Sequence, residues 1–168
     1  MAVRDVLLFP HPALKRKARP LGPGGRAEAE RVAADLLDTM AAHPGCAGLA
    51  APQLGELVRI VAVDVSEHPK AETTNGLLLL ADPEVVAASG AEVAREGCLS
   101  IPHLTANVRR ATAIELHART PAGDPVELRS EGFEARCLLH EIDHLDGLLF
   151  LDRVDSLTTD VFRRKRYK

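Results

Sequence analysis

His140 and His144 stand four residues apart with Glu141 between them, in the run His140-Glu141-Ile142-Asp143-His144. On a helix, residues four apart lie one above the other, so both imidazoles can converge on a single metal ion. Glu141, one step round, then reaches a water that the ion polarises, which is the chemistry of a metal-assisted hydrolase. Two histidines are too few for it. A hydrolytic metal takes three protein ligands and keeps one position open, so a third donor must be found.

It does not lie downstream. The longer pattern HExxHxxGxxH is met at Gly147 but fails at its last position, which is Phe150, and no glutamate follows residue 145. Upstream, the residues of ligand type are Cys46, Cys98, Cys137, His103 and several carboxylates. Cys98 stands out for its setting, Glu96-Gly97-Cys98-Leu99-Ser100: the glycine permits close approach, and a thiolate is a strong anionic ligand for iron or zinc. Taken alone, Cys98 reads equally well as a small buried filler of an apolar core. Cys137, three residues before His140, falls on the same helix side and reads as pocket lining. His11, His43, His68 and His117 read as surface or loop residues.

A third stretch, Gly45-Cys46-Ala47-Gly48-Leu49-Ala50-Ala51-Pro52-Gln53, is a run of small residues ending in an amide. Small side chains let a substrate backbone come close, and Gln53 offers an N–H to a developing oxyanion. A tight helix-to-strand turn explains the same glycines and alanines.

The elements that must position these residues follow from periodicity. Residues 1–25 carry Pro10, Pro12, Pro20 and Pro23, which forbids a continuous helix and predicts an extended arm. In residues 26–43, Val32, Leu36, Leu37 and Met40 recur at helical spacing among Glu28, Glu30, Arg31, Asp35 and Asp38, and Pro44-Gly45 stops the helix. Residues 46–129 read as strands and turns: 58–65, 77–80 ahead of a turn at Asp82-Pro83, the alternation at Ile114 and Leu116, and 126–128 after the turn 121–125. Over 132–147 a second helix is predicted, with Phe133, Cys137, His140 and His144 on one face and Gly147 as its stop. The tail 163–168 is basic and reads as a solvated terminus, with RNA contact as the other reading.

At 168 residues, 46% hydrophobic and 27% charged, the chain has the size and composition of one globular domain over 1–168. A net charge of −3 does not advertise DNA or an anionic membrane as partner, and no apolar run approaches a membrane span. Three cysteines, an odd number, with no secretory signal ahead of them, set the expectation of a reduced, cytoplasmic location.

Taken jointly, the three stretches resemble the signatures of the peptide deformylases, GφGφAAPQ, EGCxS and HExDHxxG, with φ apolar. Gly48 to Gln53, Glu96 to Ser100 and His140 to Gly147 match them in order and approximate spacing, and the flanking runs 6–14 and 150–153 are similar too. The resemblance implies an α+β fold, with antiparallel sheets packed around a central HExxH helix and an N-terminal helix. It implies that Cys98, His140 and His144 bind one divalent metal ion, iron(II) first and zinc, nickel or cobalt as alternatives. Glu141 would be the general base and acid, with Gln53 and the Leu99 backbone N–H holding the oxyanion. Gly48, Cys46, Ala47, Glu96, Gly97, Phe133, Arg136 and Cys137 would border the substrate, an N-formylmethionyl nascent chain lying beside Gly48 as an added strand. Transient ribosome contact goes with such a substrate. Two positions depart from the family pattern: Cys46 stands where the opening motif has its first glycine, and Leu139 where a glutamine usually precedes HExxH. Two rival readings share part of these features, a metal-dependent peptidase and a noncatalytic metalloprotein that binds peptides.

Overall fold

The computed structural model describes residues 2–164. Two α-helices, α1 (Arg26–Ala41) and α2 (Gly132–Leu145), accompany eight strands: β1 (Gly48–Ala50), β2 (Ile60–Val63), β3 (Leu78–Ser89), β4 (Glu92–Cys98), β5 (Ile101–Arg110), β6 (Ala113–Arg119), β7 (Pro125–Glu131) and β8 (Val161–Arg163). The strands form a five-stranded sheet in the order β1-β2-β3-β6-β7 and a three-stranded sheet in the order β4-β5-β8. Every pairing within them is antiparallel, which makes the fold α+β. Among the described residues, no helix is long and apolar enough to cross a membrane.

Helix α2 lies against β1, β2, β6 and β7 and the 3-10 turn Ala51–Leu54. Its apolar side supplies Ala135, Leu138, Ile142 and Leu145 to a core shared with Val61, Val63, Leu80, Ile114 and Leu116. The inward residues of the five-stranded sheet alternate, so the other face of β2, with Ile60 and Ala62, is left for α1, which fills it with Ala29, Val32 and Leu36. A third cluster, including Leu14, Ile101, Ala106, Val108, Leu149 and Phe150, closes the three-stranded sheet and holds Cys98.

Two expectations from sequence are corrected. Asp35, grouped with the solvated face of α1, is buried, because the N-terminal arm lies along the helix: Ala2 N–H and Arg4 Nη1 donate to its carboxylate at 2.8 and 3.1 Å, and Arg4 N–H donates to Thr39 Oγ1 at 2.9 Å. Asp82-Pro83 does not end its strand. β3 runs through it with a register shift between Ala81 and Glu84 and Asp82 at φ 49°, and the Asp82 carboxylate accepts from Leu21 and Gly22 N–H at 2.8 and 2.9 Å. A bulge therefore turns a would-be turn residue into the anchor of the arm.

Candidate metal centre

β4, β1 with its following turn, and α2 each bring one of the three sequence stretches to the same place. In β4 the alternation of a strand buries Glu96 and Cys98 and exposes Arg95 and Gly97. On α2, His140 and His144 fall one turn apart on the buried side, their ring centroids 5.1 Å apart. Cys98 Sγ lies 3.4 Å from His144 Nε2, and one ligand atom from each of Cys98, His140 and His144 lies within 4.8 Å of the others. His103, a donor by type, is exposed on β5 and takes no part.

The His140 ring is oriented by charge. Glu96 Oε1 accepts from His140 Nδ1 at 2.8 Å, which leaves Nε2 to face Cys98 and His144. Arg110 grips the same carboxylate with Nε at 2.8 Å and Nη2 at 2.9 Å, and donates through Nη1 to Asp143 at 2.6 Å. Arg136 adds a 2.7 Å hydrogen bond to Glu96 and bonds the Val108 and Glu92 carbonyls, while Arg153 closes on Asp143 from outside. Burial works against ionised Glu96, but the hydrogen bonds from Arg110 and His140 outweigh it and hold the group well below the usual carboxylate range. Arg110 is correspondingly held charged: burial opposes it and Glu96 overcomes the opposition. Burial also opposes charge on both histidines. In His140 the neighbouring Glu141, Cys98 and Glu96 overcome it and raise the pKa, whereas in His144 the charge of His140 adds to it and lowers the pKa.

Glu141 is buried beside this cluster, and its Oε1 has no hydrogen-bond partner among the described residues. Burial is the main cause that pushes its pKa up to about 7, with His140 pulling the other way. A Cβ added at Gly48 would stand 2.9 Å from Glu141 Oε2 and 3.0 Å from its Cγ, so glycine lets the carboxylate keep this position. Gln53 is oriented by its own backbone surroundings: Oε1 accepts from Ala50 N–H at 2.9 Å, which turns Nε2 toward Ser100 Oγ at 3.1 Å and Cys98 Sγ at 3.6 Å.

A cavity of about 320 Å³ opens onto these groups. It is lined by Cys46, Ala47, Gly48, Gln53, Glu96, Gly97, Cys98, Leu99, Phe133, Arg136, Cys137, His140 and Glu141, while His144 lies behind the wall. Glu96 and Arg136 reach the wall, but their charged ends are turned to each other and to His140, Arg110 and backbone carbonyls rather than to the opening. The Cys46 thiol donates to the Gly48 carbonyl at 3.2 Å, and burial with Glu141 nearby pushes its pKa up to about 12. Burial raises the Cys137 thiol as well, so neither is a ready thiolate. Leu139 packs on the core shared with β2 and β6.

Several cavity residues are not evident from sequence patterns. His68, read there as a loop residue, stacks on Phe133 with centroids 4.2 Å apart and lines the opening with Lys70, Arg95 and Arg164. Arg110 belongs to none of the sequence motifs, although its inward position shows in the period-two burial of Ala106, Val108 and Arg110 on β5. Of the basic tail, Arg163 and Arg164 are described and residues 165–168 lie outside the described residues.

The donor set suits a metal ion. It joins one thiol and two imidazoles, one of them aligned by a carboxylate, and sets the partnerless Glu141 Oε1 beside them. Comparison with known proteins agrees. Residues 3–160 match the family model described as polypeptide deformylase. The chain is 40% identical over its full length to the peptide deformylase of Alkalilimnicola ehrlichii, covering 91% of that protein, and 37% identical to that of Nitrosococcus oceani, covering 96%. Among solved structures, a peptide deformylase from Legionella pneumophila superposes with a TM-score of 0.82 at 34% identity, over 93% of this chain and 88% of that one. The Thermus thermophilus peptide deformylase gives 0.81 at 36% identity, over 91% and 86%.

Proposed function

From the chain's membership of the polypeptide deformylase family, which makes it a metal-dependent hydrolase that removes the N-formyl group of nascent polypeptides, we propose that Cys98, His140 and His144 hold the ion and Glu141 moves the proton. The observation that carries this reading is the meeting of three ligand atoms within 4.8 Å beside a buried carboxylate oxygen that bonds to nothing. When bound, the ion supplies Lewis acidity toward water and the formyl carbonyl. Glu141 Oε1 takes a proton from the attacking water. The water oxygen ends on the formyl carbon as formate, the C–N bond breaks, and the proton ends on the freed amine. Gln53 Nε2 and the Leu99 N–H hold the carbonyl oxygen as it gains charge.

The ion is iron(II) in this reading, with zinc, nickel and cobalt as substitutes that a mixed thiolate and imidazole set accepts. Residues 1–168 act as one catalytic domain, with α2 as the helix about which both sheets are arranged. The formylmethionyl chain lies between Gly48 and Gly97, its methionine side chain toward Phe133 and Cys137, with Cys46, Ala47 and the stems of Glu96 and Arg136 completing the wall. The enzyme works in the cytoplasm, meeting its substrate as chains leave the ribosome.

The test is anaerobic purification with metal analysis, then an assay on formyl-Met and acetyl-Met peptides. About one equivalent of iron is expected, with formate released from the formyl-Met peptide and no acetate from the acetyl-Met peptide. Equal rates on both acyl groups, or cleavage within the peptide, would replace this reading with a peptidase.

A further inference from the structure

Three cations on the cavity wall, Lys70, Arg95 and Arg164, have no ion-pair partner among the described residues. The carboxylates of the wall, Glu96 and Glu141, are buried at the metal cluster, and Glu72 and Glu92, which line an adjoining cavity with Lys70 and Arg95, pair with neither. In a chain of net charge −3, this opening is locally positive.

The sheet register arranges two of the cations in a row. Arg95 and Gly97 share the exposed face of β4, opposite Asn107 and Thr105 of β5, and Phe162 of β8 lies opposite Thr105. Arg95 sits 3.7 Å above the Phe162 ring and donates to Asn107 at 3.2 Å and Thr105 at 3.3 Å, so its guanidinium is held in place. Arg164, two residues beyond Phe162, is tied by its N–H to the His103 carbonyl at 2.8 Å. Its guanidinium occupies the space over Gly97 where any other residue would carry a side chain.

Among the described residues β4 is an edge strand, paired only with β5. A formyl group must reach Cys98, and past Cys98 the chain turns back into Ile101, so a substrate strand on this edge runs from Cys98 toward Glu92. Its methionine side chain points to the buried side of Glu96 and Cys98, where Phe133 and Cys137 stand. With a period of two, the side chain of the next residue points to the opposite face, toward Arg95 and Arg164. Resting on the deformylase reading, we infer that this enzyme selects formylmethionyl chains whose second residue is acidic, with Arg95 and Arg164 as specificity-determining residues and Lys70 adding to the field at the rim. The cations line the cavity that opens onto the metal-ligand cluster, where the substrate chain must enter, so a peptide carboxylate is the anion they meet.

The experiment compares kcat/KM for amidated peptides that begin formyl-Met-Asp, formyl-Met-Asn and formyl-Met-Lys. The expected order is Asp over Asn over Lys, with Asp ahead of Asn by about three- to fivefold, the worth of one exposed ion pair. The separation lies in KM rather than kcat and narrows as salt rises to about 0.5 M. Arg164→Glu should place Lys ahead of Asp, and Arg95→Gln with Arg164→Gln should bring the Asp and Asn rates together. Equal wild-type rates on Asp and Lys peptides would overturn the inference alone, whereas no formate from any peptide would remove the deformylase reading and the inference with it. Variants that keep the Asp-over-Lys order but lose affinity for ribosomal RNA would assign these cations to nucleic acid and also overturn it.

Discussion

Glu96 on β4 accepts a 2.8 Å hydrogen bond from Nδ1 of His140 on α2, so one strand supplies both a thiol of the metal cluster and the carboxylate that aims an imidazole into it. Because Arg110 and Arg136 converge on the same carboxylate, orientation of the cluster and stability of the fold are joined in one group.

Glu96→Ala is expected to weaken metal binding about 10- to 100-fold, the usual cost of losing the partner that orients a ligand histidine. It should also cost about 3–5 kcal/mol of stability, since Arg136 is left buried without its counter-ion and Arg110 keeps only Asp143. Chelator competition and urea denaturation measure the two effects. A variant of wild-type affinity would show that His140 is oriented by something else.

The proposed ligands and the proposed base should separate cleanly. Cys98→Ala, His140→Ala and His144→Ala each remove one donor of the cluster and should purify without a full equivalent of metal. Glu141→Gln keeps size and removes the charge, so metal should stay while turnover falls at least about a hundredfold. Elemental analysis beside a formate-release assay distinguishes them, and a metal-replete His144→Ala protein would take that residue out of the cluster.

Gly48→Ala places a methyl group 2.9 Å from Glu141 Oε2 and 3.0 Å from its Cγ, so the carboxylate must shift toward the cavity that it lines. Turnover should fall, by up to about the hundredfold that a misplacement of about 1 Å costs. Far-UV circular dichroism and metal content should stay near wild type, because the clash falls on a side chain and not on a ligand. Unchanged turnover would mean that the position of Glu141 is not critical.

Away from the metal centre, Glu56 receives Arg31 Nη1 at 2.9 Å and Arg4 Nη1 at 3.3 Å, and ties the N-terminal arm to α1. The Arg31 hydrogen bond holds its carboxyl below the ordinary value, against the opposing effect of burial. A group depressed in the folded state contributes its stability above the unfolded pKa and loses it as pH falls through the folded one. Glu56→Gln should therefore cost up to about 1 kcal/mol near pH 7 and match wild type near about pH 2. Urea midpoints across that range report it, and a constant difference at every pH would show that the charge contributes nothing.

Both helices were legible from periodicity: α1 and α2 start at the expected residues 26 and 132, and end three residues before Pro44 and two before Gly147. That His140 and His144 come together was legible for a related reason: spacing of four on a helix is a local property, so the two rings face one point wherever that helix is placed. What local spacing could not carry was everything that crosses between elements. Arg110 lies 14 residues from Glu96 and 33 from Asp143, and it becomes the hub of the site only because antiparallel pairing sets β5 beside β4, from where its side chain also reaches Asp143 of α2. Arg164 comes to lie over Gly97 through the pairing of β8 with β5, which no pattern in either segment announces. Asp35 and Asp82 were read as solvated or turn-forming because nothing nearby in sequence shows that the N-terminal arm will cover one and bond to the other. Sequence determined which residues could do the chemistry, since that depends on side-chain type and helical geometry. Only the tertiary structure decided their charge environment, because hydrogen bonds and desolvation depend on neighbours that the chain brings from far away.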